Sequence, residues 1–318
     1  MQEFKHIRIA EMTPDQAVEG FYLLKTVSLK SSGSGKAFLT GKLQDITGET
    51  DFVVWDCMDN ACFFPLGSVI KIRGTVTTYN GNPQISISRI RLATENDSVD
   101  LSQIVPSAPI NVEETIEEVK KMIAEIKDHD YRKICETMLR KHVMNFLTLP
   151  AAKTVHHAFL HGLLMHTCNM MRTAVRLAPL YEDVPINPSL LVAGVFCHDL
   201  NKDREMTTSS IGLVTEYSVE GSLLGHTYLG AREIHDVCID LKIPEEKTLL
   251  LEHLLLSHHG EPEMGAAVRP VCAEAALLNL IDLIDSRMEI YRETNLKTDP
   301  GSMSEKVWAL NHGVYHHY

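Results

Sequence analysis

The apolar period of this sequence changes once, and that change limits what the chain can fold into. From Gly20 to Leu92 the pattern is that of strands, and from Asn111 to about Arg292 it is helical. A period of two lays side chains on the two faces of a sheet, whereas a period of 3.6 paints one stripe on a helix. The two patterns need separate cores, and 318 residues leave room for about two domains of ~150 residues. The expected division is a β-domain over 1–92, a linker over 93–110, a helical domain over 111–295 and a tail over 296–318. The linker is polar and carries Pro106 and Pro109. The tail has little periodicity and reads as a docking segment. Neither an internal repeat nor a low-complexity tract is present.

Five strands are expected in the first domain: Phe21 to Leu24, Ala37 to Leu43, Thr50 to Trp55, Val69 to Thr78 and Gln84 to Leu92. Asn80-Gly81 joins the last two, because a tight hairpin turn needs positive φ at both central positions. Ile85 and Ile87 alternate with Ser86 and Ser88, as in a half-buried strand. A helical turn or two fits Cys57 to Phe64. Five strands with a small helix between the third and fourth is the order of an oligonucleotide-binding (OB-fold) barrel; a meander or SH3-like barrel is the alternative. Beyond the linker, Asn111 followed by Glu114 forms a capping box for the first helix. Further helices are expected over Tyr131–Phe146, Ala151–Ala178, Pro188–His198, Ser222–Leu241, Glu245–His258 and Val271–Arg292, with prolines falling between them.

Seven cysteines without C-x-x-C spacing read as reduced thiols of a cytoplasmic protein and argue against a zinc ribbon. Lys5, His6 and Arg8 interrupt the apolar start that a signal peptide needs, and no apolar run approaches the ~18 residues of a membrane span. The net charge of -12 is uneven. Residues 1–92 carry ten Lys/Arg against nine Asp/Glu, and the remainder twenty against thirty-three. The total therefore argues against non-specific polyanion binding without excluding a local groove in the first domain.

Twelve of the sixteen histidines fall between 129 and 259. The informative ones sit in Leu163-Leu164-Met165-His166-Thr167, Cys197-His198-Asp199, Gly225-His226-Thr227 and Ser257-His258-His259-Gly260, with Ile281-Asp282-Leu283 and Asp285 further on. Helices packed in a bundle bring such positions to one level. Imidazole with carboxylate suits Mn, Fe, Co, Ni or Zn. Adjacent His198 and Asp199 can chelate together, and a carboxylate can bridge two cations. Each residue also has a plainer reading. His166 alone would be a core histidine, His198-Asp199 alone a helix end beside an exposed acid, and Lys202 a solvated lysine. Asp282 and Asp285 lie three apart on one helix, so one of them is structural. His156, His157 and His161 read as structural, and His235 and His253 as surface or packing residues.

The order His166, His198-Asp199, Asp282 resembles that of the HD superfamily of metal-dependent phosphohydrolases. His226 and His258-His259 resemble its subset with a second metal. With an oligonucleotide-binding barrel in front, the chain is similar to the YhaM-type 3′→5′ exoribonucleases of Gram-positive bacteria over roughly residues 15–295. The phrases His156-His157-Ala158-Phe159, Gly162-Leu163-Leu164 with His166, and Ser257-His258-His259-Gly260 carry that likeness. The resemblance implies one metal on His166, His198, Asp199 and Asp282, and a second on His226, His258 and His259, with Asp199 shared. Two divalent ions are implied, Mn first, with Fe, Co or Ni accepted by the same ligands. Asp199 and Lys202 would be catalytic, with Lys202 directed to the scissile phosphate. Single-stranded RNA is the implied substrate, single-stranded DNA remains open, and the product would be nucleoside 5′-monophosphates.

In the barrel, Lys36, Phe38, Trp55, Lys71, Arg73, Tyr79 and Gln84 are candidates for RNA contact, since such folds stack bases on aromatics and track phosphates with cations. The plainer reading places Phe38 and Trp55 in the barrel core. Lys71, Arg73 and Thr75 share one strand face. Two rival functions stay in view: a phosphodiesterase or phosphatase for a small nucleotide with a regulatory barrel, and an RNA-binding adaptor with a relict helical domain. The acidic second domain and the unexplained tail leave room for self-association.

Overall fold

Five strands, β1 (Ala17–Ser31), β2 (Ala37–Asp45), β3 (Gly48–Val54), β4 (Val69–Tyr79) and β5 (Asn82–Leu92), close into a barrel in the order β1-β2-β3-β5-β4. This is the oligonucleotide-binding topology expected from the strand pattern. The structure is a computed structural model that describes residues 6–33, 35–55, 64–94, 96–97, 99–151, 159–208 and 214–318. It divides into two units, Met1–Ser107 with Thr208–Thr215 and Ala108–Thr207 with Glu216–Tyr318.

Closure depends on β1. Its first half pairs with β4 and its second half with β2, and a register shift between Leu24 and Thr26 lets one strand serve both. The ring is sealed by parallel pairing of β3 with β5, Phe52 opposite Ile85. Tyr22, Leu24, Leu43, Phe52, Ile70, Ile72 and Ile85 fill the interior. At the β4–β5 hairpin, Asn80 and Gly81 have φ of 49° and 82°, the two positive values that the turn demands. The short helix expected over Cys57 to Phe64 lies, except for Phe64, outside the described residues.

The second unit is built on α1 (Val112–Ala124), α2 (His129–Thr148), α3 (Gly162–Leu177), α4 (Pro188–Cys197), α5 (Lys202–Glu205), α6 (Val219–Leu241), α7 (Glu245–Ser257) and α8 (Ala273–Asn295). Two short strands, β6 (Met206–Thr208) and β7 (Val214–Tyr217), lie between α5 and α6. Asparagines start two of the helices. The Asn111 side chain accepts from the amides of Glu113 and Glu114, and that of Asn187 from Ser189 and Leu190, with Pro188 at the first helical position. Helix α4 is apolar on every side, and Leu190 through Cys197 are all buried. A helix with no polar face has to run through the bundle interior. It therefore delivers the residues that follow it, His198 and Asp199, to the centre of the fold.

Helix α3 begins later than its apolar period suggests. Ala151, Phe159 and Leu160 are not helical, and His161 is left-handed at φ 62°. The approach is tied back to the end of α2 by Leu163 N–H to the Leu149 carbonyl and His161 N–H to that of Thr148. A continuous helix would use those amides internally. His161 also donates through Nδ1 to the Leu147 carbonyl at 2.5 Å, a structural role, while His156 and His157 lie outside the described residues. The chain end is ordered into β8 (Ser302–Met303) and β9 (Tyr315–His316), paired Ser302 to His316 and Met303 to Tyr315. Among the described residues no helix is long and apolar enough to cross a membrane.

Candidate functional site

The last carbonyls of a helix lack intrahelical donors, and two histidines use them. His198 caps α4 and its Nδ1 lies 2.8 Å from the Val195 carbonyl; His258 caps α7 with Nδ1 2.7 Å from that of Leu255. A carbonyl only accepts, so Nδ1 carries the proton in both rings and Nε2 is left as the lone-pair nitrogen. Two more rings are oriented by carboxylates. His166 Nδ1 stands 2.7 Å from Asp285 Oδ2, and His226 Nδ1 2.9 Å from both oxygens of Glu205. All four histidines are buried, and all turn Nε2 toward Asp199.

The two oxygens of Asp199 face different histidines. Oδ2 lies 3.2 Å from His198 Nε2 and 3.8 Å from His166 Nε2. Oδ1 lies 3.4 Å from His226 Nε2 and 4.0 Å from His258 Nε2. Asp282 Oδ1 joins the first group, 3.4 Å from His166 Nε2. His259 joins the second, its ring centroid 4.2 Å from that of His258 and 5.2 Å from that of His226. Within His166, His198 and Asp199, and within His226, His258 and His259, ligand atoms lie within 4.8 Å of one another.

The buried polar atoms test whether cations fit. Nε2 of His198, His226 and His258, Oδ1 of Asp199 and Nδ1 of His259 all lack a hydrogen-bond partner. Such atoms cost free energy unless something satisfies them, and the three Nε2 atoms all face the Asp199 carboxylate. Donor chemistry agrees: three imidazoles and a shared carboxylate on one side, two imidazoles and two carboxylates on the other, suit divalent transition ions.

The protonation states are set by the same packing. Burial pushes the Asp199 carboxyl up, but His198 and Lys202 beside it outweigh burial and hold the group well below the usual carboxylate range. Burial and then the neighbouring histidines keep His258 well below its ordinary value, and His259 is lowered by burial and His226. Burial also pulls His166 down, yet Asp282 and Asp285 raise it to about 10. Lys202 Nζ donates to Asp199 Oδ2 at 2.6 Å and to the Ala151 carbonyl at 2.7 Å. Burial lowers the ammonium, and Asp199 more than restores it, so the group stays charged.

The barrel candidates fall into separate groups. Phe38 and Trp55 pack against each other, centroids 5.0 Å apart with the ring planes tilted by 35°, and Trp55 is 57% exposed. They lie outside the barrel core, against the plainer reading. Lys71 and Arg73 are both held by Glu19 on β1, Arg73 through two hydrogen bonds of 2.9 and 2.6 Å, and Lys71 also lies 5.3 Å over the Phe21 ring. Tyr79 is exposed beside the β4–β5 turn, Lys36 is exposed ahead of β2, and Gln84 is half-buried on β5.

Sequence reasoning missed Glu205 and the carbonyl of Ala151, and left the role of Asp285 undecided between ligand and support. Asp285 contacts His166 at Nδ1, on the side of the ring away from Asp199. The carbonyl partners of His198 and His258 had a signal in sequence: each histidine follows an apolar run at the point where a helix must end, three residues after its acceptor.

A closed oligonucleotide-type barrel and a helical bundle centred on a His-Asp pair define a two-module class, and the comparisons find both modules. The family model for an HD domain matches residues 163–287, and that for an OB-fold nucleic acid binding domain matches residues 24–93. Over 302 residues the chain is 34% identical to the 3′-5′ exoribonuclease YhaM of Halalkalibacterium halodurans, covering 95% of this chain and 93% of that protein. The chain belongs to that family. Among solved structures, the second OB-fold domain of replication protein A from Methanococcus maripaludis is 17% identical, covering 30% of this chain and 100% of its own, with a TM-score of 0.25. The OB domain of Ta0387 from Thermoplasma acidophilum is also 17% identical, covering 30% and 91%, with a TM-score of 0.24.

Proposed function

We propose that this chain is a metal-dependent 3′→5′ exoribonuclease of the cytoplasm that hydrolyses single-stranded RNA to nucleoside 5′-monophosphates. One observation carries the mechanism: the two oxygens of Asp199 face two different histidine groups, at 3.2 Å from His198 and 3.4 Å from His226. His166, His198, Asp282 and Asp199 Oδ2 would hold one divalent ion, and His226, His258, His259 and Asp199 Oδ1 the other. Mn suits this set, as do Fe, Co and Ni. When bound, the ions would lower the pKa of an attacking water and neutralise charge on the phosphoryl oxygens.

The protein's own part is orientation and charge. Val195, Leu255 and Asp285 fix which nitrogen of the His198, His258 and His166 rings faces inward. Lys202, anchored on Asp199 and Ala151, sets a permanent cation beside the cluster, where negative charge grows on the phosphate. Water attacks the terminal phosphorus and the bond to the preceding 3′-oxygen breaks, so the released nucleotide keeps its 5′-phosphate. In the barrel, Phe38 and Trp55 would stack bases, with Lys36, Lys71, Arg73 and Tyr79 along the backbone. Single-stranded DNA offers the same bases and phosphates and would bind as well.

The test is Mn²⁺-loaded protein with 5′-labelled single-stranded RNA. The label should pass through a ladder of shortening products, mononucleotide 5′-phosphates should accumulate, and a 3′-phosphate end should resist. No ladder with any divalent ion, together with rapid turnover of a cyclic or polyphosphorylated nucleotide, would replace this function with the small-nucleotide reading.

A further inference from the structure

Helix α6 is broken immediately before His226. Gly225 has φ +72° and ψ 154°, far from helical values and in a region that L side chains rarely adopt. The helix restarts at His226, whose amide is then an unsatisfied first-turn donor. That amide donates to Glu205 Oε1 at 3.1 Å, and the ring Nδ1 of the same residue lies 2.9 Å from both Glu205 oxygens. One carboxylate thus caps the restarted helix and fixes the ring it carries. We propose that Glu205 is the positioning residue of the second metal site, setting both the place and the tautomer of His226.

Three further features support this. Glu205 ends α5, which begins at Lys202, so its backbone is continuous with the Asp199 turn. It is locked to the start of α6 by Ser218 N–H donating to the Glu205 carbonyl and Ser218 Oγ to that of Arg204, at 2.9 and 2.6 Å. And the arrangement has a counterpart: Asp285 does for His166 what Glu205 does for His226, while His198 and His258 use backbone carbonyls. Each candidate metal site therefore has one ring oriented by a carboxylate and one by the backbone. A carboxylate that accepts the other ring proton of a ligating histidine fixes its orientation and raises its basicity, and its loss typically weakens metal binding by about 10- to 100-fold.

The inference rests on the reading of His226 as a ligand, and the experiment separates the two. Mn²⁺ binding to the full chain is titrated calorimetrically for wild type, Glu205→Ala and Glu205→Gln. Wild type should bind two ions. Glu205→Ala should keep one with unchanged affinity and bind the other about 10- to 100-fold more weakly; Glu205→Gln, whose amide oxygen still accepts both hydrogens, should fall between them. In ¹⁵N-histidine spectra of chelator-treated protein, His226 should be the Nδ1–H tautomer in wild type and Glu205→Gln and lose that preference in Glu205→Ala. Two wild-type-like sites in Glu205→Ala, equal weakening of both sites, or an unchanged tautomer would overturn the proposal alone. Fewer than two ions in wild type would overturn it together with the ligand reading.

Discussion

Lys202 and Asp199 form an ion pair of 2.6 Å, Nζ on Oδ2, with 13% and 4% of the side chains exposed. Only one oxygen of the carboxylate takes the ammonium; the other has no hydrogen-bond partner. The lysine therefore places a fixed positive charge at the edge of the histidine cluster without closing the carboxylate to a second contact.

Replacing that charge separates catalysis from metal binding. Lys202→Met should lower kcat on single-stranded RNA by about 10²- to 10³-fold, the usual loss when one preorganised donor to a transition-state oxygen is removed. Mn²⁺ stoichiometry should be unchanged. A variant of near-normal kcat would remove Lys202 from the phosphate.

Trp55 is 57% exposed and packs against Phe38 outside the barrel core. Stacking is worth about 1–3 kcal/mol per base, so Phe38→Ala and Trp55→Ala should each weaken binding of long single-stranded RNA by roughly 5- to 150-fold while leaving the unfolding midpoint almost unchanged. RNA should quench Trp55 fluorescence, read in a Trp308→Phe background. Very short oligomers should be cleaved nearly as well by these variants as by wild type. Equal loss on short and long substrates would contradict a strand-binding role for the barrel.

Beside the site, His142 bridges Asp203 and Glu233, Nδ1 at 3.0 Å and Nε2 at 3.1 Å. Asn201, in the turn between Asp199 and Lys202, also donates to Glu233 at 2.6 Å. Burial lowers the His142 imidazole, but the two carboxylates raise it to about 9 from 6.5. A raised folded-state value gives stability that is full below about pH 6.5 and is lost as pH rises through about 9. The shift corresponds to about 3 kcal/mol at most. Urea unfolding at pH 6 and pH 9.5, with chelator present, should show wild type losing more stability than His142→Gln. An equal loss in both proteins would assign the pH dependence elsewhere.

Local features of the fold were legible in sequence because short-range chemistry decides them. The alternation at Ile85 and Ile87, the turn at Asn80-Gly81 and the cap at Asn111 depend on residues within a few positions of each other. The start of α3 was not legible, since amides from Leu163 and His161 reach carbonyls at the end of α2 and nothing local announces this. Strands as short as Ser302–Met303 and Tyr315–His316 are below the length at which a period exists. In the candidate site, the histidines stood out by residue type and order. The carboxylates that orient two of them were less legible: Glu205 is an ordinary helix acid until the fold brings it to a ring 21 residues away in sequence, and Asp285 stood out beside Asp282 without showing that it holds a ring 119 residues away.

Mn²⁺ binding followed by electron paramagnetic resonance tests whether Asp199 is shared between two metal sites. Wild type should take up two ions per chain and give the spectrum of a spin-coupled pair. Asp199→Asn should lose the coupled spectrum and bind both ions more weakly, while still binding RNA through the barrel. A single ion in wild type, or a coupled pair surviving in Asp199→Asn, would rule out a carboxylate shared by two ions.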